Sequence, residues 1–233
     1  SKTGMVSITV IYYNDGASTG SSAMPINAGT YTVKLDVAEG TAYTSATGIS
    51  DNSWTFTISP LDITGATVGA FAPLTYNGTA QTPSATVTKN SLNATGTWSA
   101  VTNVSDKTTF TANGNFTGTI ADKNPGMAKA TPSYTIPTGL YAIYGQTLAD
   151  IALPTGFAWT TPTASLGNVG TKSFTATYTP TDTDNYNIVN NINISVTVSA
   201  KNFTFSIEDI ASVTYNGAAQ NPTEEVKYGA KAQ

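Results

Sequence analysis

Short stretches in which apolar and polar residues alternate recur along this chain of 233 residues. Alternation with a period of two predicts β-strands, because successive side chains of a strand point to opposite faces of the sheet. In residues 1–60 the pattern predicts three strands, at Val6 to Tyr12, Tyr31 to Val37 and Trp54 to Ile58. A turn is predicted between the first two strands, at Asn14-Asp15-Gly16.

The second of these strands shows its two faces most clearly. Its apolar residues are predicted to point to a core, and its polar residues to solvent. The apolar set is Tyr31, Val33, Leu35 and Val37, and the polar set is Thr32, Lys34 and Asp36.

The spacing of the alternating stretches indicates the fold class. Gly, Asn, Asp and Pro interrupt them about every eight to twelve residues, which is typical of all-β domains. One short helix is predicted, from Leu148 to Leu153, with Thr147 as its N-cap. We therefore expect an all-β fold made of tandem small β modules, β-grasp-like or immunoglobulin-like in their pairing, with at most one short helix per module.

An internal repeat indicates how the modules are arranged. The phrase TYNGTAQTPSATV at 75–87 returns as TYNGAAQNPTEEV at 214–226, displaced by 139 residues. Its Asn-Gly pair predicts a tight turn with positive φ. A repeat at this distance favours several small domains over one large domain.

A second similarity places the module boundaries. Asn27 to Thr30 matches Asn168 to Thr171, and Phe56 to Ser59 matches Val196 to Ser199, so residues 1–60 resemble the end of a module. The sequence thus predicts the C-terminal part of a module at 1–60 and a complete module at 61–130. It predicts a complete module of a second subtype at 131–200 and the N-terminal part of a further module at 201–233.

The composition is polar with few charges, and it excludes several kinds of chemistry. The chain has 43 Thr and 20 Ser, but 10 Lys, 14 acidic residues, and no Arg, His or Cys. Without His and Cys there is no imidazole base, thiolate nucleophile, disulfide or soft zinc site. A net charge of −4 without Arg argues against nucleic acid as a partner. We expect no enzymatic activity and no cofactor.

The same composition favours an extracellular protein of bacterial type, at the cell surface or secreted. Extracellular bacterial repeat proteins often lack Cys, Arg and His. No apolar run approaches the roughly 20 residues of a membrane span, so we expect no membrane span in this chain.

Several phrases together carry a resemblance to a known family. TYNGxAQxP, NAGTYTVKLDVAEGTAY, NGNFTGT and the segment from PTGLYAIYGQTLADIALPTGF to GTKSFTATYTPTDTDNY resemble the MBG, or "mostly beta grasp", modules of bacterial surface and adhesin-like proteins. The resemblance covers nearly the whole chain. It implies small β-rich modules, secreted by bacteria and arranged in tandem, and it brings no catalytic residues.

The two predicted partial modules are complementary halves. Each would expose an open sheet edge and apolar side chains, which favours association with other chains. The sequence therefore predicts that residues 201–233 of one copy complete residues 1–60 of the next, or of a neighbouring module in a longer polypeptide. The predicted assembly edges are Val6, Ile8, Val10, Phe203, Phe205 and Tyr215.

Two further patterns are candidate binding sites. Asp182 and Asp184 lie close enough in sequence to bind Ca²⁺, but the calcium-loop pattern is incomplete and a turn is the simpler interpretation. Aromatic rings can stack on sugars, and Trp159, Tyr141 and Tyr144 are the candidates for ligand binding. Trp54 and Trp98 lie in alternating strands, where core packing is the simpler interpretation.

These observations favour a noncatalytic extracellular structural or adhesive repeat protein that forms a stalk, fibre or filament. Its expected partners are neighbouring copies or modules of the same protein. The alternative is a module of a bacterial surface protein that binds a glycan or a host protein. A third interpretation is an accessory domain of a secreted polysaccharide-degrading enzyme.

Overall fold

The computed structural model describes residues 7–207, 212–220 and 226–229. The fold is all-β, as predicted: it consists of small sheets and a single 3₁₀ turn in the described residues. The chain divides into two compact units, residues 1–130 and 131–233. The division into four module parts stays a prediction.

The first sheet contains four antiparallel strands. They are β1 (Ile8–Asn14), β2 (Gly29–Val37), β3 (Ala46–Ile49) and β4 (Thr55–Ile58). β2 is central: β1 pairs along one of its edges, while β3 and β4 pair with successive parts of the other. The predicted turn after β1 is confirmed, with an Ala17 N–H···O Asn14 bond of 2.9 Å and a φ of 75° at Gly16.

The polar face of β2 differs from the prediction. Thr32, Lys34 and Asp36 are half-buried rather than solvent-exposed. The reason is local: the Lys34 ammonium lies 4.4 Å from the centre of the Tyr13 ring, and the Asp36 carboxylate accepts a hydrogen bond from Gly48 N–H at 2.7 Å.

Residues 61–123 form three small sheets around a second core. Their strands are β5 (Leu61–Asp62), β6 (Thr67–Val68), β7 (Val87–Lys89), β8 (Leu92–Asn93), β9 (Gly96–Trp98), β10 (Thr108–Ala112), β11 (Phe116–Thr117) and β12 (Thr119–Lys123). The sheet orders are β6-β7-β8, β12-β10-β9 and β11-β5, and the β5–β11 pair is parallel. The buried residues of this core are Ile63, Val87, Trp98, Phe110 and Phe116.

The main sheet of the second unit includes β16, the longest described strand. Its strands are β13 (Leu140–Ile143), β14 (Phe157–Trp159), β15 (Gly170–Tyr178) and β16 (Val189–Ser199), in the order β13-β16-β15-β14. β13 runs parallel to β16, and the other pairs are antiparallel. Alternation along β16 is strict, since Ile192, Ile194, Val196 and Val198 are all buried.

The predicted helix is a single 3₁₀ turn, Leu148–Asp150. It is shorter than predicted because the backbone leaves helical geometry at Ile151, which has φ of −110° and ψ of 107° and donates its N–H to Leu148 O at 3.1 Å. The prediction of Thr147 at its start is confirmed. The Asp150 carboxylate accepts hydrogen bonds from both the N–H (2.7 Å) and the hydroxyl (3.0 Å) of Thr147.

The last described strands belong to the predicted N-terminal part of a module. They are β17 (Thr204–Ile207) and β18 (Val226–Gly229), which form an antiparallel pair. Ile207 lies opposite Val226, just as Val68 of β6 lies opposite Val87 of β7 in the first unit. Both residues of the β17–β18 pair follow those of the β6–β7 pair by 139 positions, which is the displacement of the sequence repeat. The repeat therefore has the same strand register in both places.

Candidate assembly surface

One face of the first sheet is apolar and lacks a covering layer in the described residues. Residues directly opposite each other in paired strands project from the same face of a sheet, so the strand registers identify its members. Asn14, Gly29 and Ala46 lie at its margins. We call its larger apolar members the open face: Ile8, Val10, Tyr12, Tyr31, Val33, Leu35, Val37, Ile49, Trp54, Phe56 and Ile58.

Side-chain exposure shows that the open face is uncovered. Val10, Trp54 and Phe56 are each 37–38% exposed and Ile8 is 49% exposed, while Tyr31 is the face's one buried residue. Tyr31 is covered by its neighbour, since its ring stacks on Phe56 with 5.5 Å between centroids. The prediction of Trp54 as a core residue is therefore wrong: the residue is on the apolar side of the sheet but is 38% exposed.

The edge of the first sheet at β4 is also unpaired. Val33 N–H donates to Trp54 O at 2.7 Å, so Trp54, Phe56 and Ile58 direct their backbone groups toward β2. Backbone groups alternate in direction along a strand, so those of Thr57 and Ser59 point outward. Within the described ranges β4 pairs only with β2. We call this outward side of β4 and Ser59 the open edge.

The sheet of the second unit has the same strand register as the first. Gly29 lies opposite Ile58 in the first sheet, and Gly170 lies opposite Val198 in the second unit. A pair of threonine hydroxyls recurs at the next position. Thr30 and Thr57 are 3.2 Å apart, and Thr171 and Thr197 are 3.1 Å apart. β2 is thus equivalent to β15, and β4 to the end of β16.

In the second unit both the edge and the face are occupied. β13 lies parallel to the end of β16, and Tyr144 N–H donates to Ser199 O at 2.9 Å. Leu148, Ile151 and Leu166 belong to the same buried cluster as the strand residues. Trp159 is 8% exposed, and its indole N–H donates to Ile151 O at 3.0 Å.

Residues 61–130 contain contacts of the same kind. Tyr76 N–H donates to Ala128 O at 2.9 Å, and Thr75 forms an isolated parallel bridge with Ala128. The indole N–H of Trp98 donates to Ala85 O at 3.0 Å. In both regions, therefore, a Tyr just before a turn donates its N–H to a later carbonyl oxygen, and a backbone carbonyl accepts the indole N–H of a buried Trp.

The second copy of the TYNG phrase has the local geometry of the first. Gly78 and Gly217 have φ of 79° and 75°, which confirms the predicted turn. The Asn77 side chain accepts a hydrogen bond from Thr79 N–H, and Asn216 accepts one from Ala218 N–H. In each copy the Gln side chain donates to the carbonyl oxygen of the initial Thr, which is Thr75 or Thr214.

The two copies differ in burial. Val213 is 57% exposed and Tyr215 is 89% exposed, whereas Leu74 and Tyr76 are half-buried. Phe203, another predicted edge residue, is 66% exposed. The side chain of Phe205 and the whole of Val6 lie outside the described residues.

Of the three ligand-binding candidates, one is buried and two are exposed. Trp159 lies in strand β14, in which Phe157 and Trp159 pair with Tyr178 and Ala176 of β15. Its buried ring offers no free face to a sugar. Tyr141 and Tyr144 are 72% and 52% exposed at the end of β13. Trp98 is buried, which confirms its prediction as a core residue.

The candidate calcium residues form a turn. The Asp182 carboxylate accepts hydrogen bonds from the N–H (3.1 Å) and side-chain amide (2.9 Å) of Asn185, which is 7% exposed. Asp184 is exposed. In the part of the chain that the structure describes, no three acidic side chains form a group suited to a metal ion.

Other acidic residues also stabilise turns. Backbone N–H groups of Asn103 and Thr102 donate to Asp106 at 2.8 Å each and lower the pKa of its carboxyl group. Hydrogen bonds from the backbone and hydroxyl of Thr147 lower the pKa of Asp150 in the same way. These carboxylates are thus held in their charged form by neighbouring turns.

Searches against protein-family models, curated proteins and solved structures found no match to this chain. The resemblance to MBG modules therefore stays a prediction. Over the described ranges, no helix has the length and apolar character needed to cross a membrane.

Proposed function

We propose that this chain is a noncatalytic structural protein of the bacterial cell surface or extracellular space, built from MBG-like β modules that form a stalk, fibre or filament. Its work is to span distance and to hold a shape. The observation that carries the proposal is the direct connection of one β body to the next within the first unit.

That connection leaves almost no linker. β4 ends at Ile58 and β5 begins at Leu61. The side chain of Asn115 bridges the two bodies, since it accepts a hydrogen bond from Ala28 N–H at 2.7 Å and donates one to the Asn27 side chain at 2.9 Å. A short connection fixed by such bonds restricts bending between neighbouring bodies, as a stalk requires.

The composition supports the same proposal. A surface rich in Thr, Ser and Asn stays hydrated with few charges, and the absence of His and Cys removes the commonest catalytic bases and nucleophiles. No cofactor is needed for a mechanical role.

Electron microscopy of the purified chain, together with a glycan array, tests this function. We expect elongated particles or filaments and no saturable glycan binding. Compact globular particles would contradict the stalk.

A ligand-binding module is the second candidate, favoured by the exposed Tyr141 and Tyr144. If a glycan on the array binds, and binding is lost in the Tyr141→Ala/Tyr144→Ala variant but kept in a Tyr43→Ala variant, this second function replaces the first. Tyr43 is the matched control because it is also about half exposed, at 51%.

A further inference from the structure

We infer that residues 212–220 of a second copy of this chain complete the first sheet, with residues 212–215 added as a parallel strand along the open edge. In the expected register, Tyr215 N–H of the second copy donates to Ser59 O. The inference rests on the proposed structural function and specifies its partner and its site.

The first step is what the first sheet lacks. Its strand register matches that of the second unit through β2 and β4, and in that unit the equivalent edge is paired by β13. The equivalent face is covered by the segment that follows β13. In the first sheet the face is exposed and β4 has no outer partner in the described ranges. Within the described ranges, the first sheet thus lacks both the paired outer edge and the covered face that the sheet of the second unit has.

The second step is what the described residues near the second TYNG phrase resemble. Ile207 and Val226 have the register of Val68 and Val87, and residues 214–220 have the hydrogen bonds of the TYNG turn. In residues 61–130 the TYNG phrase forms a parallel bridge with Ala128, and Val87 belongs to the buried core. Residues 212–220 thus resemble the segment that the first sheet lacks.

The register of the added strand follows from two equivalent hydrogen bonds, one in residues 61–130 and one in residues 131–200. Tyr144 N–H binds Ser199 O, and Tyr76 N–H binds Ala128 O, both at 2.9 Å. Ser59 corresponds to Ser199 through the β4–β16 equivalence. Tyr215 corresponds to Tyr76 through the sequence repeat. The same bond between Tyr215 and Ser59 places Val213 beside Ile58, on the open face.

The chemistry of the two surfaces matches. The open face has no charged side chain, and residues 212–220 are uncharged. Strand addition supplies backbone hydrogen bonds to the open edge, and Val213 supplies apolar area to the open face. No buried charge has to be compensated.

A second copy can supply the missing segment because the chain itself contains a matching one. Residues 212–220 have the turn and the hydrogen bonds of residues 73–81. In the inferred pairing this segment comes from another chain. Pairing between different surfaces of identical chains is head-to-tail, and it produces a linear polymer when it does not close into a ring.

Mixing two blocked variants tests the inference. Val10→Lys places a charge on the open face, and Val213→Lys places one on the added strand. The Val10→Lys variant keeps only its strand able to pair, and the Val213→Lys variant keeps only its open face. Each variant alone is therefore expected to be monomeric by light scattering, while the unmodified chain forms higher oligomers. An equimolar mixture is expected to form a heterodimer with twice the mass of the chain and to stop there.

Controls keep the result interpretable. Ile188→Lys alters an apolar residue that is 50% exposed and outside both surfaces, and it should polymerise like the unmodified chain. Ile8→Lys and Tyr215→Pro are second blocking variants for the face and the strand. Circular dichroism confirms that each variant keeps its sheets.

Three results would overturn the inference: a monodisperse monomer of the unmodified chain at all concentrations, a mixture without heterodimers, or equal assembly by the blocked and control variants. A monomer whose two halves close on each other would produce the first. Elongated particles without heterodimers would retain the structural function and remove only the proposed partner site.

Discussion

At the scale of single residues, three tryptophans on equivalent apolar faces show what a covering layer contributes. Trp98 and Trp159 are each 8% exposed, and each donates its indole N–H to a backbone carbonyl. Trp54 is 38% exposed on the open face. A buried indole N–H requires an acceptor, and the covering segment provides it in both complete bodies.

Replacing Trp159 by Phe should therefore lower the free energy of unfolding strongly, and replacing Trp54 by Phe should change it little. Trp159→Phe removes the bond to Ile151 O and leaves a cavity, so we expect it to lower the free energy of unfolding by about 2–3 kcal/mol. Trp54→Phe, the matched control, should change it by less than about 0.5 kcal/mol in the monomeric Val10→Lys background. Urea unfolding followed by circular dichroism measures both. Equal losses would contradict the assignment of Trp54 to an uncovered face.

The tryptophans also show how far sequence reasoning reaches. Alternation correctly placed Trp54 and Trp98 on the apolar sides of their strands. It predicted burial for both, because a period of two identifies the face of a strand and carries no information on whether another layer covers that face. Only the register and the exposed fraction distinguish the two residues.

A carboxylate at a turn provides a pH-dependent prediction. The pKa of Asp106 lies below its usual value of 3.8, because N–H groups of Asn103 and Thr102 stabilise the charged form. Its contribution to stability is therefore fully present above the unfolded pKa and is lost as the pH falls through the lower folded pKa.

The Asp106→Asn variant should thus have a lower Tm than the unmodified chain at neutral pH. The difference should shrink as the pH falls from about 7 to about 3. Glu39→Gln, at an exposed position, is the control. A Tm difference for Asp106→Asn that stays constant across this range would contradict the role of the charged carboxylate.

At the scale of elements, one parallel strand pair joins early and late segments within residues 61–130, and another does so within residues 131–200. β5 pairs with β11, and β13 pairs with β16, so the early strand of each body lies beside a late one. The individual strands and turns were largely predictable from alternation and from Asn-Gly pairs. The parallel pairings were not, because they join residues more than fifty positions apart and leave no local pattern.

The close packing of β9 on β10 offers a test of this core. A Cβ at Gly96 would overlap the Thr111 carbonyl oxygen and the Phe110 ring. We expect Gly96→Ala to destabilise the chain by about 1–3 kcal/mol or more, because the backbone has to move. The control is Gly126→Ala, where no atom lies within 4 Å and the cost is the strain of a φ of 71°, about 1 kcal/mol. Equal or reversed costs in urea unfolding would contradict the packing.

At the scale of the whole molecule, the two copies of the TYNG phrase differ in their surroundings. The first copy binds Ala128 within the chain, through the parallel bridge of Thr75 and the N–H of Tyr76. Its second copy has the same turn geometry, but Tyr215 is 89% exposed. If the first sheet of another copy receives this segment, each junction restores a complete β body, and a stalk of many chains has the same construction throughout.

The most direct test of this account is a disulfide between the two surfaces. In the inferred register Thr57 lies beside Ser212 of the second copy, as Thr197 lies beside Tyr141. Adjacent strands are about 4.8 Å apart, within the range for a disulfide, and the chain has no cysteine of its own.

The double variant Thr57→Cys/Ser212→Cys, oxidised and run on a denaturing gel without reductant, should produce a ladder of covalent multimers that collapses to a single chain on reduction. A variant with Thr57→Cys/Ile188→Cys is the control and should produce no such ladder. An oxidised double variant that runs only as single chains, cross-linked internally or not at all, would contradict the completion of the first sheet by a second copy.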